Sequence, residues 1–142
     1  MILIDANLLI YAYNSGSREH EGARPWLEGV LSQPEPVGLT WMTLLAFMRI
    51  TTTSRLMAQP FSLEEVVSIV DEWLALPQVV VLDAGPRHWE ILRGLLLAGQ
   101  ASGALVMDAE LAALAIEHGA SLCTTDRDFA RFAGLKVENP LA

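Results

Sequence analysis

Short apolar runs alternate with longer segments of helical periodicity along the whole 142-residue chain, and this alternation restricts the fold more than any other feature. The runs cover residues 1–4, 37–40, 79–82, 121–124 and 135–137, and their aliphatic and β-branched content indicates strands. The segments between them cover residues 8–13, 18–31, 43–57, 63–76, 86–98, 104–118 and 127–132, and we predict helices there. Strands that alternate with helices predict an α/β fold, with a parallel sheet covered by helices on both faces.

Composition and length predict a folded protein with one domain that spans residues 1–142. Apolar residues make up 52% of the chain and charged residues 18%, so disorder is not expected. Cys123 is the only cysteine, which excludes an intramolecular disulfide and a cysteine zinc cluster. No apolar run of about 18 residues is free of charges and helix breakers, so we expect no membrane span. The expected compartment is a reducing cytoplasm.

Some local signals predict how particular segments begin, end and pack. Ser62 and Glu65 form a capping-box pattern, and Pro86 suits the first turn of a helix. The segment 43–57 is apolar on most sides, which predicts a largely buried helix. We also expect most of the tryptophans to lie in the core rather than at an interface; they are Trp26, Trp41, Trp73 and Trp89.

The charge balance argues against a protein that holds nucleic acid by a basic surface alone. The formal net charge is −8, with 17 acidic against 9 basic side chains. Contact with phosphate through metal ions is still possible. Every basic residue except Lys136 is arginine, which suits bidentate phosphate contact. A GC-rich coding sequence explains that bias equally well.

Three aspartates occupy positions where a solvated acid is not expected. Asp5 directly follows the first predicted strand, Asp126 follows the fourth, and Asp108 lies beside the apolar face of a predicted helix. Ligands of parallel α/β folds bind beyond the carboxyl ends of the strands, where the strand order reverses. A buried carboxylate there must be paired, hydrogen-bonded or metal-bound, and basic partners are scarce. Converging carboxylates suit Mg²⁺ or Mn²⁺, which prefer oxygen ligands.

Each candidate residue also has a structural explanation. Asp5 with Asn7, and Asp126, could cap the helices that follow them, while Asp108 and Asp128 could interact with helix dipoles. The threonines beside Asp126 could be ordinary strand residues. Any one of these signals is weak, and only their joint occurrence in a parallel α/β order points to a site.

The chain resembles the PIN-domain ribonucleases, and in particular the VapC toxins of toxin–antitoxin pairs. The resemblance rests on the opening Asp5-Ala6-Asn7, on MDAELAALA at residues 107–115, and on TTDRDF at residues 124–129. The segments 41–49 and 132–141 are also similar to the family. The resemblance implies a PIN-like three-layer α/β/α sandwich with a five-stranded parallel sheet in the order 3-2-1-4-5. In that order, strands 1 and 4 are neighbours, so Asp5 and Asp126 would meet at the switch point.

The same resemblance implies a metal-dependent endoribonuclease that hydrolyses phosphodiester bonds of single-stranded or structured RNA. Its implied partners are an RNA substrate, a VapB-type antitoxin and a second copy of the chain in a homodimer, with no membrane. The helices predicted at 43–57 and 63–76 are candidates for the dimer or antitoxin surface. The implied residues are metal-site acids at Asp5, Asp108 and Asp126, an auxiliary acid at Asp128, and supporting residues at Asn7, Thr124, Thr125 and Arg49. For Arg49, contact with RNA phosphate and a buried ion pair are equally good hypotheses.

One departure from the family pattern affects the expected activity. Many members carry a glutamate in the helix after the second strand, whereas residues 43–55 of this chain contain no acid. Glu110 could supply the missing acid, but a helix turns about 200° over two residues, so we expect Glu110 to point away from Asp108. A second hypothesis is therefore a catalytically weakened PIN-fold module that binds RNA or protein. A response-regulator-like phosphoacceptor fits poorly, since Lys136 lies inside the predicted fifth strand.

Overall fold

Five parallel strands form one sheet in a computed structural model that describes all 142 residues. The strands are β1 Ile2–Ile4, β2 Val37–Leu39, β3 Val79–Val81, β4 Ser121–Cys123 and β5 Val137–Glu138. Their order is β3-β2-β1-β4-β5 and every pairing is parallel. This confirms the expected sheet and places β1 at its centre, with β4 on one side and β2 on the other.

Six α-helices and one short 3₁₀ helix cover the sheet. They are α1 Ala6–Tyr13, α2 His20–Leu31, α3 Trp41–Thr51, α4 Leu63–Ala75, α5 His88–Ala98 and α6 Leu105–Glu117, with the 3₁₀ helix at Arg127–Arg131. Successive strand side chains point to opposite faces. Leu3 and Leu122 accordingly pack with α5 and α6, whereas Ile4 and Cys123 pack with α1 to α4. The two cores on either side of the sheet confirm the three-layer arrangement. None of the helices is both long and apolar enough to cross a membrane.

Helix α3 is shorter and more exposed than the sequence pattern predicted. It covers Trp41–Thr51 instead of residues 43–57, because Thr40 caps it by accepting a hydrogen bond from the Thr43 amide. At its other end, threonine hydroxyls donate to carbonyls four residues back, as Thr51 does to Phe47 at 2.7 Å. Leu45 is 59% exposed, so the prediction of a helix buried on most sides was wrong.

Two further expectations need correction. The fifth strand covers Val137–Glu138 rather than residues 135–137, so Lys136 precedes it. Trp73 is buried in the core, but Trp41 is 50% and Trp89 65% exposed, since both lie on helix faces that no other element covers. A large aromatic side chain at helical spacing indicates an apolar face, but it does not say whether this chain or another covers that face.

Candidate active site

The carboxyl ends of β1 and β4 bring Asp5 and Thr124 together. Ile4 is in register with Cys123, and the Asp5 amide donates to the Cys123 carbonyl at 3.0 Å. The Thr124 hydroxyl then donates to Oδ2 of Asp5 at 2.7 Å. The resulting contact joins residues 119 positions apart in the sequence.

Asp5 both caps a helix and belongs to this strand-end group. Its Oδ1 accepts a hydrogen bond from the Ala6 amide at 2.7 Å, which caps α1. The pKa of Asp5 is raised overall, chiefly by burial and also by the charge of Asp126. Hydrogen bonds from Thr124 and Ala6 act in the opposite direction and lower it. The structural and the functional interpretations of Asp5 are therefore compatible.

Polar side chains from α1 and from the segment after β4 fix the position of these carboxylates. The Asn7 amide nitrogen donates to the hydroxyl of Thr125 at 3.0 Å and to that of Thr124 at 3.4 Å. The Thr124 hydroxyl also accepts from the amide of Asp126 at 3.0 Å. The Thr124 hydroxyl thus binds both the carboxylate of Asp5 and the backbone amide of Asp126.

Asp108, Asp126 and Asp128 form what we call the acidic cluster. One carboxylate oxygen from each lies within 4.8 Å of the others. Asp126 caps the 3₁₀ helix by accepting from the Asp128 amide at 2.9 Å. Burial raises the pKa of Asp108 to about 6, with further increases from the charges of Asp126, Asp5 and Asp128. The resemblance implied only an auxiliary role for Asp128, but Asp128 belongs to this cluster. Asp5, which the resemblance implied as a metal-site acid, lies beside the cluster and is not one of its three members.

Helix α3 contributes no acid to the side of the site that it lines. A small cleft there is lined by Asp5, Ala6, Met42, Thr43, Ala46, Met107, Asp108 and Leu111. The Thr43 hydroxyl donates to the Thr40 carbonyl at 2.9 Å and belongs to the capping box of α3. Ala46 lines the same cleft as the two aspartates, and sequence reasoning missed it because its small apolar side chain carries no chemical signal.

Arg49 and Glu110 lie outside the acidic cluster. Arg49 is exposed and forms no ion pair, which excludes the buried ion pair as its explanation. Helical spacing places Arg49 on the same face of α3 as Met42 and Ala46. Glu110 points away from Asp108 as expected, and its carboxylate lies 2.6 Å from Nε2 of His88.

Comparison with known proteins gives the family of this site. The PIN-domain family profile matches residues 2–135. Ribonuclease VapC37 of Mycobacterium tuberculosis is 42% identical over 142 residues, which cover 100% of this chain and 99% of the relative. The chain is a PIN-domain protein of the VapC family. Ribonuclease VapC33 of the same organism is 41% identical over 141 residues, with 99% of each chain covered.

Solved structures of PIN-domain toxins share the fold. One is a VapC20 from Mycobacterium tuberculosis that is described as a sarcin–ricin loop cleaving toxin. It has a TM-score of 0.68 at 18% identity, with coverage of 96% of this chain and 99% of that one. VapBC2 from Rickettsia felis, bound to a promoter DNA fragment, gives a TM-score of 0.66 at 21% identity, with 98% of each chain covered. At these identities the likeness supports the PIN fold alone.

Replacing Thr124 by Val is expected to reduce RNA cleavage roughly 10- to 100-fold, the range found when a residue that orients a ligand is lost. Valine keeps the buried shape but cannot donate to Asp5 or accept from the Asp126 amide. Steady-state rates on a defined RNA measure the effect, and Thr124→Ser, which keeps the hydroxyl, should retain most activity. A fully active Thr124→Val protein would contradict the positioning role.

Proposed function

We propose that this PIN-domain protein is an RNA-cleaving toxin whose partner is a VapB-type antitoxin. Aspartates converge at the strand ends of a chain that is 42% identical, over its whole length, to a protein named a ribonuclease. Homologues of the VapC family and the fold of toxin–antitoxin complexes support the same function. The catalytic unit that we propose is the whole of residues 1–142, acting in a reducing cytoplasm.

The acidic cluster fits a divalent metal ion, and we propose Mg²⁺ or Mn²⁺. The cluster offers only oxygen ligands, and burial together with the charges of Asp126, Asp5 and Asp128 raises the pKa of Asp108 to about 6, so bound positive charge would stabilise the ionised carboxylates. Asp108 and Asp126 would be ligands, with Asp5 and Asp128 completing the set directly or through water. A bound ion would lower the pKa of a coordinated water and neutralise charge on the phosphate.

The protein's own groups hold and orient the reacting parts. Asp126 accepts the Asp128 amide through Oδ1, which leaves Oδ2 free for a ligand or for a proton from the attacking water. Thr124 fixes the Asp5 carboxylate at 2.7 Å, and Asn7 fixes the threonines in turn. We assign to Arg49 a contact with RNA phosphate on the α3 side of the site. Its side chain is exposed and forms no ion pair with a carboxylate, so its guanidinium is available to a phosphate.

An acid introduced at Ala46 is expected to strengthen metal binding. Ala46 shares the small cleft with Asp5 and Asp108, and α3 supplies no carboxylate there. The Ala46→Glu protein should therefore reach half-maximal cleavage at a lower metal concentration than the wild type, which a Mn²⁺ titration measures. Ala46→Gln, of the same shape without charge, is the control and should show no such shift. A rise in the required concentration for Glu would oppose a metal at this place.

Exposed apolar residues indicate where a second copy or the antitoxin could bind. Helix α4 exposes Leu63, Val67 and Leu74, and α3 exposes Trp41 and Leu45. On each helix these residues recur at helical spacing and so share one face, and an exposed apolar face is typical of interaction sites. We therefore propose a homodimer and antitoxin docking on these two helices.

Cleavage of total RNA by the purified, antitoxin-free protein tests the function. Reactions contain EDTA, Mg²⁺ or Mn²⁺, and sequencing of the product ends identifies the cut sites. Metal-dependent cuts at discrete positions would support the toxin and show that an acid on α3 is dispensable. If the folded protein does not cut RNA with either Mg²⁺ or Mn²⁺, the weakened binding module becomes the better hypothesis.

A further inference from the structure

Arg131 lies beside the acidic cluster, and no carboxylate pairs with it. Its Nε donates to the Asp128 carbonyl at 3.3 Å and its Nη1 to the Gly99 carbonyl at 3.1 Å. It takes part in none of the five ion pairs of the chain. Its charge lowers the pKa of Asp108, so the guanidinium lies within electrostatic reach of the cluster.

Two backbone segments hold this guanidinium in place. Arg131 ends the 3₁₀ helix that begins after Asp126, and Gly99 is the C-terminal cap of α5. A cation is favoured at a helix C-terminus, where the last carbonyls carry partial negative charge. A Cβ atom at Gly99 would come within 2.8 Å of the Leu95 carbonyl oxygen and within 3.2 Å of the Phe132 ring, so glycine suits both the end of α5 and its close approach to the second segment.

The bonds to the two carbonyls leave most of the guanidinium free. Arginine has five N–H donors, and Arg131 uses two of them on the protein. The remaining donors belong to an exposed side chain. An oriented guanidinium with spare donors is suited to bidentate contact with a phosphate group.

The negative charge near the site favours such a contact. The chain carries a net charge of −8, and the acidic cluster lies where we propose that the RNA binds. Helix α3 follows β2 and the 3₁₀ helix follows β4, the strands on either side of β1. Arg49 and Arg131 therefore belong to elements on opposite sides of Asp5, where an RNA strand that crosses the acids would pass between them.

We infer that Arg131 binds a backbone phosphate of the RNA strand next to the phosphate that is cleaved, on the β4 side of the site. The inference rests on the proposed ribonuclease function and adds a substrate-binding residue to it. Arg131 would act on substrate affinity rather than on the chemical step, because the carbonyls of Asp128 and Gly99 hold its guanidinium and the phosphate that it would bind is not the one that is cleaved.

The test compares Arg131→Gln with Arg18→Gln, a matched loss of one positive charge at a side chain that is 94% exposed. Binding of a fluorescein-labelled single-stranded RNA of mixed sequence is followed by anisotropy over a KCl series. All proteins carry Asp126→Asn so that the probe stays intact. Loss of one phosphate contact should reduce the slope of log K against log salt by about 0.7 for Arg131→Gln. Arg18→Gln should leave the slope unchanged, and Arg131→Lys should retain most of it.

Kinetics in the otherwise wild-type protein give a second measurement. Arg131→Gln should raise KM about tenfold, equivalent to roughly 1.4 kcal/mol, with little change in kcat. An unchanged slope and KM, with or without a lower melting temperature, would overturn the inference and leave Arg131 as a helix cap only. If the wild-type protein cuts no RNA while the slope still falls, the phosphate contact stands and the proposed catalytic function fails.

Discussion

Asp126→Asn is expected to lower RNA cleavage by at least about a hundredfold while the protein stays folded. Asparagine keeps a side-chain oxygen that can accept the Asp128 amide, so the cap of the 3₁₀ helix survives. The substitution removes the charge that we assign to metal and water. Cleavage of a defined RNA under saturating Mn²⁺, beside a circular dichroism melt, separates loss of activity from loss of fold.

The control is Asp83→Asn, which removes one charge from an exposed position between β3 and α5. It should cleave like the wild type, since neither the proposed site nor the proposed docking helices include that residue. Full activity in the Asp126→Asn protein would remove Asp126 from the catalytic group and would favour a capping role alone. Equal loss in both variants would indicate a general effect of charge.

The metal-free protein is expected to become more stable as the pH falls from 7 towards 4. The pKa of Asp108 is about 6 in the folded protein against 3.8 ordinarily, so the folded state binds the proton more tightly. This stabilisation is fully present below about pH 3.8 and disappears as the pH rises through about 6. The raised pKa of Asp5 acts in the same direction. Because solvent screens the partly exposed Asp108, we expect an effect of about 1 kcal/mol, or a few degrees in Tm.

A divalent metal should reverse this dependence at neutral pH. At a hundredfold excess over Kd, a bound ion adds about 2.7 kcal/mol to the free energy of unfolding. Asp108→Asn removes the repulsion, so its metal-free Tm should exceed that of the wild type and its shift with metal should shrink. Melts between pH 4 and 7.5, with EDTA or Mn²⁺, measure both effects. A wild-type Tm that ignores metal at neutral pH would argue against a metal site in the acidic cluster.

Local patterns predicted the elements but not their surroundings. Residues 43–57 showed a helical apolar pattern, yet tertiary contacts decided that Leu44 is buried and Leu45 exposed. The same limit applies to Trp41, whose large apolar surface is the same whether it packs inside the chain or remains exposed. A helical pattern gives the period of a face, whereas burial depends on which other elements pack against that face.

The place of an acid relative to a strand could be deduced, but distances between acids could not. Asp5 and Asp126 each follow a buried strand, and parallel pairing of β1 with β4 then brings them near each other. Asp108 comes from α6, so its approach to Asp126 and Asp128 depends on how that helix packs on the sheet. No sequence spacing encodes such a contact.

The sequence by itself determined the α/β order, the strands that end in aspartate and, through its motifs, the resemblance to PIN-domain ribonucleases. These features are local, since each depends on side-chain period and on turn or cap residues within a few positions. Only the tertiary structure placed Asp128 inside the acidic cluster, Ala46 in the cleft that Asp5 and Asp108 line, and Arg131 against the end of α5. Those contacts join segments that are distant along the chain, and they form because two apolar cores pack on opposite faces of one sheet.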